Sequence, residues 1–167
     1  INNQQGQFDA SLEEIWHIIS HSGYAYAYPG VFGENPGTSL TNAMDIARGG
    51  QFLSVPNPYP ASAWYHYDDW TCDYECMAIE YLYWAQVSNM GILDDPQTAA
   101  GIANEWEAYN ATLLQNMDVL MYALITNPQY KLPQLAPDGN YCPNTTSISE
   151  INTNKILLKK MLSSFIK

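Results

Sequence analysis

The chain has 167 residues, 47% of them hydrophobic, which predicts a single domain with a sizeable core. Its 17 acidic residues against 6 basic ones give a formal net charge of −11, which disfavours binding to nucleic acid or to an anionic membrane surface. No apolar run approaches the length that spans a bilayer. The charge instead favours cations, divalent metals included, as partners.

Several features of the composition predict an extracellular protein. Lys is scarce, Tyr is frequent, and three cysteines are present. The chain begins at Ile1 without Met, which fits a processed mature form. Two sequons, at Asn110 and Asn144, are candidate sites of N-linked glycosylation. We therefore expect a secreted glycoprotein.

The first helix is predicted to run from Ser11 to Gly23. Ser11-Leu-Glu-Glu14 has the pattern of a capping box, and Gly suits the left-handed turn that ends many helices. The apolar residues at helical spacing are expected to form its buried stripe: Leu12, Ile15, Trp16 and Ile19. Residues 24–38 are rich in Tyr, Gly and Pro, which predicts an ordered loop that starts with a brief strand.

The rest of the chain predicts further helices. The second covers Ser39–Arg48, and residues 51–70 then form a second long aromatic loop, because their prolines prevent a helix. The third, Thr71–Met90, is apolar on every side and is expected to be the central buried helix. A fourth starts at Asp94-Asp95-Pro96 and ends at Thr126, and a basic amphipathic helix covers residues 147–167.

These elements predict a mainly α fold in a single domain, with about five helices, two long aromatic loops rich in Pro and Gly, and little β structure. Residues 1–146 form the acidic helical body. The basic helix at residues 147–167 belongs to the same domain or docks on a neighbouring copy.

The three cysteines leave one unpaired if a single disulfide forms. Cys72 and Cys76 would lie on one face of the third helix, where a bridge within a regular helix is strained. We therefore expect Cys142 to pair with Cys72 or Cys76.

A candidate metal site lies on the first helix. His17 and His21 are four residues apart, a spacing that lets two imidazoles on one helical face reach the same ion. Glu80 falls among apolar residues of the third helix, and a buried carboxylate needs a cation, a proton or a hydrogen-bond donor. The alternatives are a solvent-exposed histidine face, and pairing of Glu80 with a Tyr hydroxyl or with Arg48.

The stretch HIISH, followed by a distant helix with Glu in EYLYW, resembles the zincin metallopeptidases, which take two His from one helix and Glu from another. The resemblance covers about fifteen residues. It implies zinc held by His17, His21 and Glu80. In that family a Glu that acts as general base follows the first His, and here Ile18 stands there. Glu13 or Glu14, one turn earlier, is the substitute, and we assign the catalytic role to Glu14.

Aromatic residues of the two long loops are expected to line a cleft near this site. The cleft residues are His66, Tyr24, Tyr26, Trp64 and Tyr65. The alternative is that these rings only cover the core.

The sequence thus predicts a secreted zinc-binding domain of zincin-like type, either a metallohydrolase or a catalytically degenerate relative. The alternative is an extracellular structural protein. In that case the surface rich in Tyr and Asn, the C-terminal helix and the odd cysteine would assemble it into a homo-oligomer or filament.

Overall fold

Helices form nearly all the regular structure in residues 10–136, the part of the chain that this computed structural model describes. In chain order they are α1 (Ser11–Ile19), a π-helical turn (Ser20–Tyr24), α2 (Ala25–Ala27), α3 (Pro29–Phe32), α4 (Ser39–Ala47), α5 (Tyr74–Asn89), α6 (Pro96–Ile102), α7 (Ala111–Met117) and α8 (Val119–Ile125). Within these residues no strand or sheet forms, and the β structure is limited to isolated bridges. The predicted mainly α fold is confirmed.

The centre of the fold is α5, as predicted, but it begins at Tyr74 instead of the predicted Thr71. Asp73 caps its N-terminus, where the Oδ1 atom accepts a hydrogen bond of 3.0 Å from the Cys76 amide. Buried side chains lie on all sides of this helix because α1, α4, α7 and α8 pack around it. The second predicted helix is also confirmed as α4, which begins after a capping box at Thr38 and ends before Gly49 in the left-handed conformation (φ 75°).

The first helix differs from the prediction at both ends. Its N-cap residue is Ala10, one position before the expected cap. Gly23 does not end it, because the backbone continues as the π-helical turn and α2. The strand expected from Tyr24 is therefore wrong. Helical geometry instead places the rings of Tyr24, Tyr28 and Phe32 against one another, with centroids 5.4–6.5 Å apart.

The buried face of α1 also differs from the predicted stripe. Trp16 is buried and Leu12 packs partly on the core, but Ile15 is 55% exposed and Ile19 is 42% exposed. The helix is turned so that His17 faces α5, where its ring meets the edge of Tyr83 at 5.8 Å. The histidine predicted on the solvent-exposed face thus lies at a helix interface.

The predicted fourth helix is divided into α6, α7 and α8. Between α6 and α7 the chain leaves the helical path so that Trp106 enters the core, where its indole N–H donates to Ser88 Oγ at 2.9 Å. Asn110 then caps α7, because its Oδ1 accepts from the Leu113 amide at 2.9 Å. The amide of this predicted glycosylation site is therefore part of a helix cap, and its glycosylation stays a prediction.

The disulfide joins Cys72 to Cys76, instead of either residue to Cys142 as predicted. The expected strain does not apply, because α5 begins only at Tyr74 and Cys72 lies before its cap. Their Cα atoms are 5.4 Å apart, within the usual range for a disulfide.

Some predictions fall on residues outside the described range. These are the helix at residues 147–167 and the sequon at Asn144. Within residues 10–136, none of the helices combines the length and hydrophobicity that crossing a bilayer requires.

Candidate metal centre

Three ionisable side chains converge where α1 packs on α5. Glu13 and His17 are one turn apart on α1, and Glu80 faces them from the middle of α5. One ligand atom from each residue lies within 4.8 Å of the other two. A single cation can contact all three groups at such distances after small side-chain adjustments.

The Nε2 atom of His17 is the most informative atom of this cluster. It is buried, and its contact with the Glu80 Oε2 atom, at 3.4 Å, is an ion pair without the geometry of a good hydrogen bond. That distance is long for a hydrogen bond between nitrogen and oxygen, which is usually 2.7–3.2 Å. A buried polar atom without a good hydrogen bond needs an explanation, and a bound ion is one of the ordinary ones.

The electrostatics of the cluster are dominated by its carboxylates. The pKa of Glu13 is raised, first by burial and then by the like charge of Glu80. Burial and the charges of Glu13 and Glu80 raise the pKa of Tyr83 to about 12. Burial alone would lower the pKa of His17, but its interactions with Glu80, Glu13 and Glu14 outweigh burial and raise it. The cluster is a half-buried region of negative potential that favours a cation.

These pKa shifts predict a pH dependence of the metal-free protein. A histidine whose folded pKa lies above its ordinary value of 6.5 contributes stability below that pH, and the contribution is lost as the pH rises through the folded pKa. We expect NMR titration to place the pKa of His17 above 6.5, and the Glu80→Gln variant to lower it. His17→Gln should remove the corresponding slope from the free energy of unfolding against pH. A pKa of 6.5 or below for His17 in the metal-free protein would contradict this assignment.

Of the two alternative partners predicted for Glu80, a Tyr hydroxyl lies near it, but Arg48 bonds elsewhere. Burial, followed by the negative charges of Glu80 and Asp69, raises the pKa of Tyr67. Arg48 is fully buried, but it donates to the carbonyl oxygens of Phe52 and Ser54. Glu80, which is only 9% exposed as its helical position predicted, thus has a Tyr neighbour as well as His17.

His21 does not join the cluster. Its Nδ1 atom lies 2.8 Å from the Oε2 atom of the buried Glu34, and its side chain is mostly exposed. The backbone between His17 and His21 changes from α to π geometry at Ser20, so the two imidazoles no longer share the orientation that a regular helix would give them. Glu13 takes the place that the sequence assigned to His21. The sequence signal for Glu13 is its i, i+4 spacing from His17, although it also lies within the Ser11–Glu14 pattern of a capping box.

The centre borders a groove of about 340 Å³ at the surface. Glu14, the predicted base, is exposed and lines this groove with His17, His21 and Glu80. Apolar groups of Ile18 and Ile79 also line it. A ligand in the groove would therefore lie next to the cluster.

The five predicted cleft residues do not line a common cleft. Tyr65 is fully buried, and Trp64 donates its indole N–H to Asp118 at 3.0 Å. Tyr24 is partly buried and donates to the Lys131 carbonyl, whereas Tyr26 is 87% exposed. His66 packs against Tyr59 in a different groove.

Comparison of the chain with protein-family models, curated proteins and solved structures finds no match. The resemblance to zincins therefore has no support beyond the residues that suggested it. The group that could hold a metal ion consists of one imidazole and two carboxylates.

Proposed function

We propose that this protein is a zinc-binding domain in which Glu13, His17 and Glu80 are the ligands. The observation that carries the proposal is the buried Nε2 atom of His17, whose contact with Glu80 at 3.4 Å is an ion pair without the geometry of a good hydrogen bond. Oxygen and imidazole ligands are both common around zinc. The imidazole favours zinc and other transition metals over magnesium or calcium, which prefer oxygen ligands alone.

A set of three protein ligands is more typical of a catalytic zinc centre than of a structural one. Structural zinc sites use four protein ligands, whereas catalytic sites use three and leave a position for water or substrate. A zinc ion there would supply Lewis acidity and an acidified water molecule. Since Ile18 stands where zincins carry their base, Glu14 is the residue we assign to accept a proton from a ligand in the groove. The proposed activity is metal-assisted hydrolysis.

The proposal includes an extracellular location for the protein. The Cys72–Cys76 disulfide supports this location, because disulfides persist mainly in oxidising compartments.

Calorimetric titration of the metal-free protein tests the proposed ligands. We expect about one zinc ion per chain, much weaker binding of magnesium, and a loss of zinc affinity of at least ~10-fold in Glu13→Gln and in Glu80→Gln. Each change keeps the side-chain size and removes one anionic ligand. Glu107→Gln, a change at an exposed carboxylate away from the cluster, is the matched control and should bind like the parent protein. Equal zinc affinity in all four proteins would refute the ligand set.

A further inference from the structure

A second groove lies apart from the metal centre and shares no lining residue with it. Its volume is about 680 Å³, and three segments form its walls: residues 55–61, residues 66–70 and residues 103–104. Such a volume is typical of sites for small molecules.

Aromatic rings form two surfaces of this groove. The Trp70 side chain lines it although it is 84% exposed, which is unusual for so large an apolar group. Tyr59 and His66 also line the groove, and they pack edge to face with centroids 5.4 Å apart. A flat ligand with an apolar face can stack on such rings.

The walls are held in place by hydrogen bonds. The Tyr59 hydroxyl donates to the Tyr67 carbonyl at 2.7 Å, and the His66 amide donates to the Glu105 carbonyl at 2.7 Å. Beside Trp70, the amide and hydroxyl of Thr71 both donate to Asp69 Oδ1, and the disulfide follows immediately. A groove with walls fixed in this way loses little conformational entropy when a ligand binds.

Charges near the groove disfavour an anionic ligand. The buried Arg48 guanidinium lies 6.0 Å from the centre of the Tyr59 ring, but it does not line the groove. Asp68 in the groove and the net charge of −11 repel anions. The polar groups of Asn57, Asn104 and Asp68 offer both donors and acceptors.

The prolines of the first wall argue against an extended peptide as the ligand. Pro56, Pro58 and Pro60 have no backbone N–H, so this wall offers a peptide backbone fewer donors than an ordinary sheet edge does. A sugar does not depend on these donors, because its ring has an apolar C–H face and its hydroxyls both donate and accept.

We propose that this groove binds a neutral oligosaccharide. One pyranose ring stacks on Trp70, and Asp68 and Asn104 hydrogen-bond its hydroxyls. The proposal is independent of the metal centre, since the two grooves have no residue in common.

Titration with neutral oligosaccharides, followed by tryptophan fluorescence and calorimetry, tests the proposal. The probes are tetrasaccharides of β-1,4-linked glucose, N-acetylglucosamine, mannose and xylose, and of α-1,4-linked glucose. We expect at least one to bind with a Kd of about 1 mM or tighter, and Trp70→Ala to weaken it about tenfold or more. Asp68→Asn should weaken the same probe without changing the fold.

Tyr26→Ala is the matched control, because Tyr26 is as exposed as Trp70 and lies outside the groove. It should bind like the parent protein, and circular dichroism of each variant excludes unfolding. Absence of binding by all five tetrasaccharides at ~10 mM would overturn the proposal. Equal binding by Trp70→Ala and Tyr26→Ala would also overturn it. Binding of decaproline without any sugar would assign the groove to a proline-rich peptide instead.

Discussion

Replacing His17 with Ala is expected to weaken zinc binding by more than ~100-fold, because the only imidazole of the cluster and one of three ligands is lost. Replacing His21 is expected to change the affinity by less than about threefold, since its ring pairs with Glu34 outside the cluster. The pair is a matched comparison: the same substitution is made at two histidines four residues apart. Calorimetry and elemental analysis after dialysis measure the difference.

Thermal unfolding gives a second measurement of the same prediction. A ligand that binds only the folded state at 100 times its dissociation constant stabilises it by about 2.7 kcal/mol. Zinc should therefore raise the melting temperature of the parent protein and of His21→Ala, but not that of His17→Ala. If His21→Ala loses zinc and His17→Ala retains it, the cluster of Glu13, His17 and Glu80 is not the binding site.

Replacing Asp118 with Ala is expected to cost roughly 3–5 kcal/mol of unfolding free energy. Its Oδ2 atom accepts from the Trp64 indole at 3.0 Å and from the Tyr81 hydroxyl at 2.5 Å. Its Oδ1 atom accepts from the Met121 amide and so caps α8. The substitution would remove the cap and leave the buried Tyr81 hydroxyl and the Trp64 indole without their acceptor.

Asp95→Ala is the control for the cap alone. Asp95 caps α6 in the same way, through the Thr98 amide at 2.9 Å, but it is exposed and has no buried partners. Its loss should cost only about 1 kcal/mol. Chemical denaturation of both variants measures the difference, and equal costs would show that the bonds to Trp64 and Tyr81 contribute nothing to stability. Asp118→Asn, which keeps an acceptor oxygen, should fall between the two.

The helices that the sequence predicted well are those with strong local signals. α4 has glycines after it, and α5 has apolar residues on all sides. The burial of Glu80 followed from its apolar neighbours on the helical wheel. Each of these features depends on residues within a few turns of one helix, so the sequence pattern contains the necessary information.

The rotation of α1 and the breaks after α6 depend on contacts distant in the chain. Isoleucines at helical spacing predicted a buried stripe, but the docking of Trp16 and His17 against other helices turned Ile15 and Ile19 outward. Trp106 interrupts a helical pattern because its indole fits a site beside Ser88. The candidate centre was predicted only in part for the same reason: His17 and Glu80 meet across a helix interface, while the change to π geometry separated His21 from them.

The Cys72–Cys76 disulfide limits how copies of this chain can be joined covalently. Cys72 and Cys76, the cysteines of the described residues 10–136, are bonded to each other, so neither offers a thiol for a link to another chain. An assembly built through this part of the chain would have to grow through non-covalent contacts, and reducing agents alone would not dissolve it.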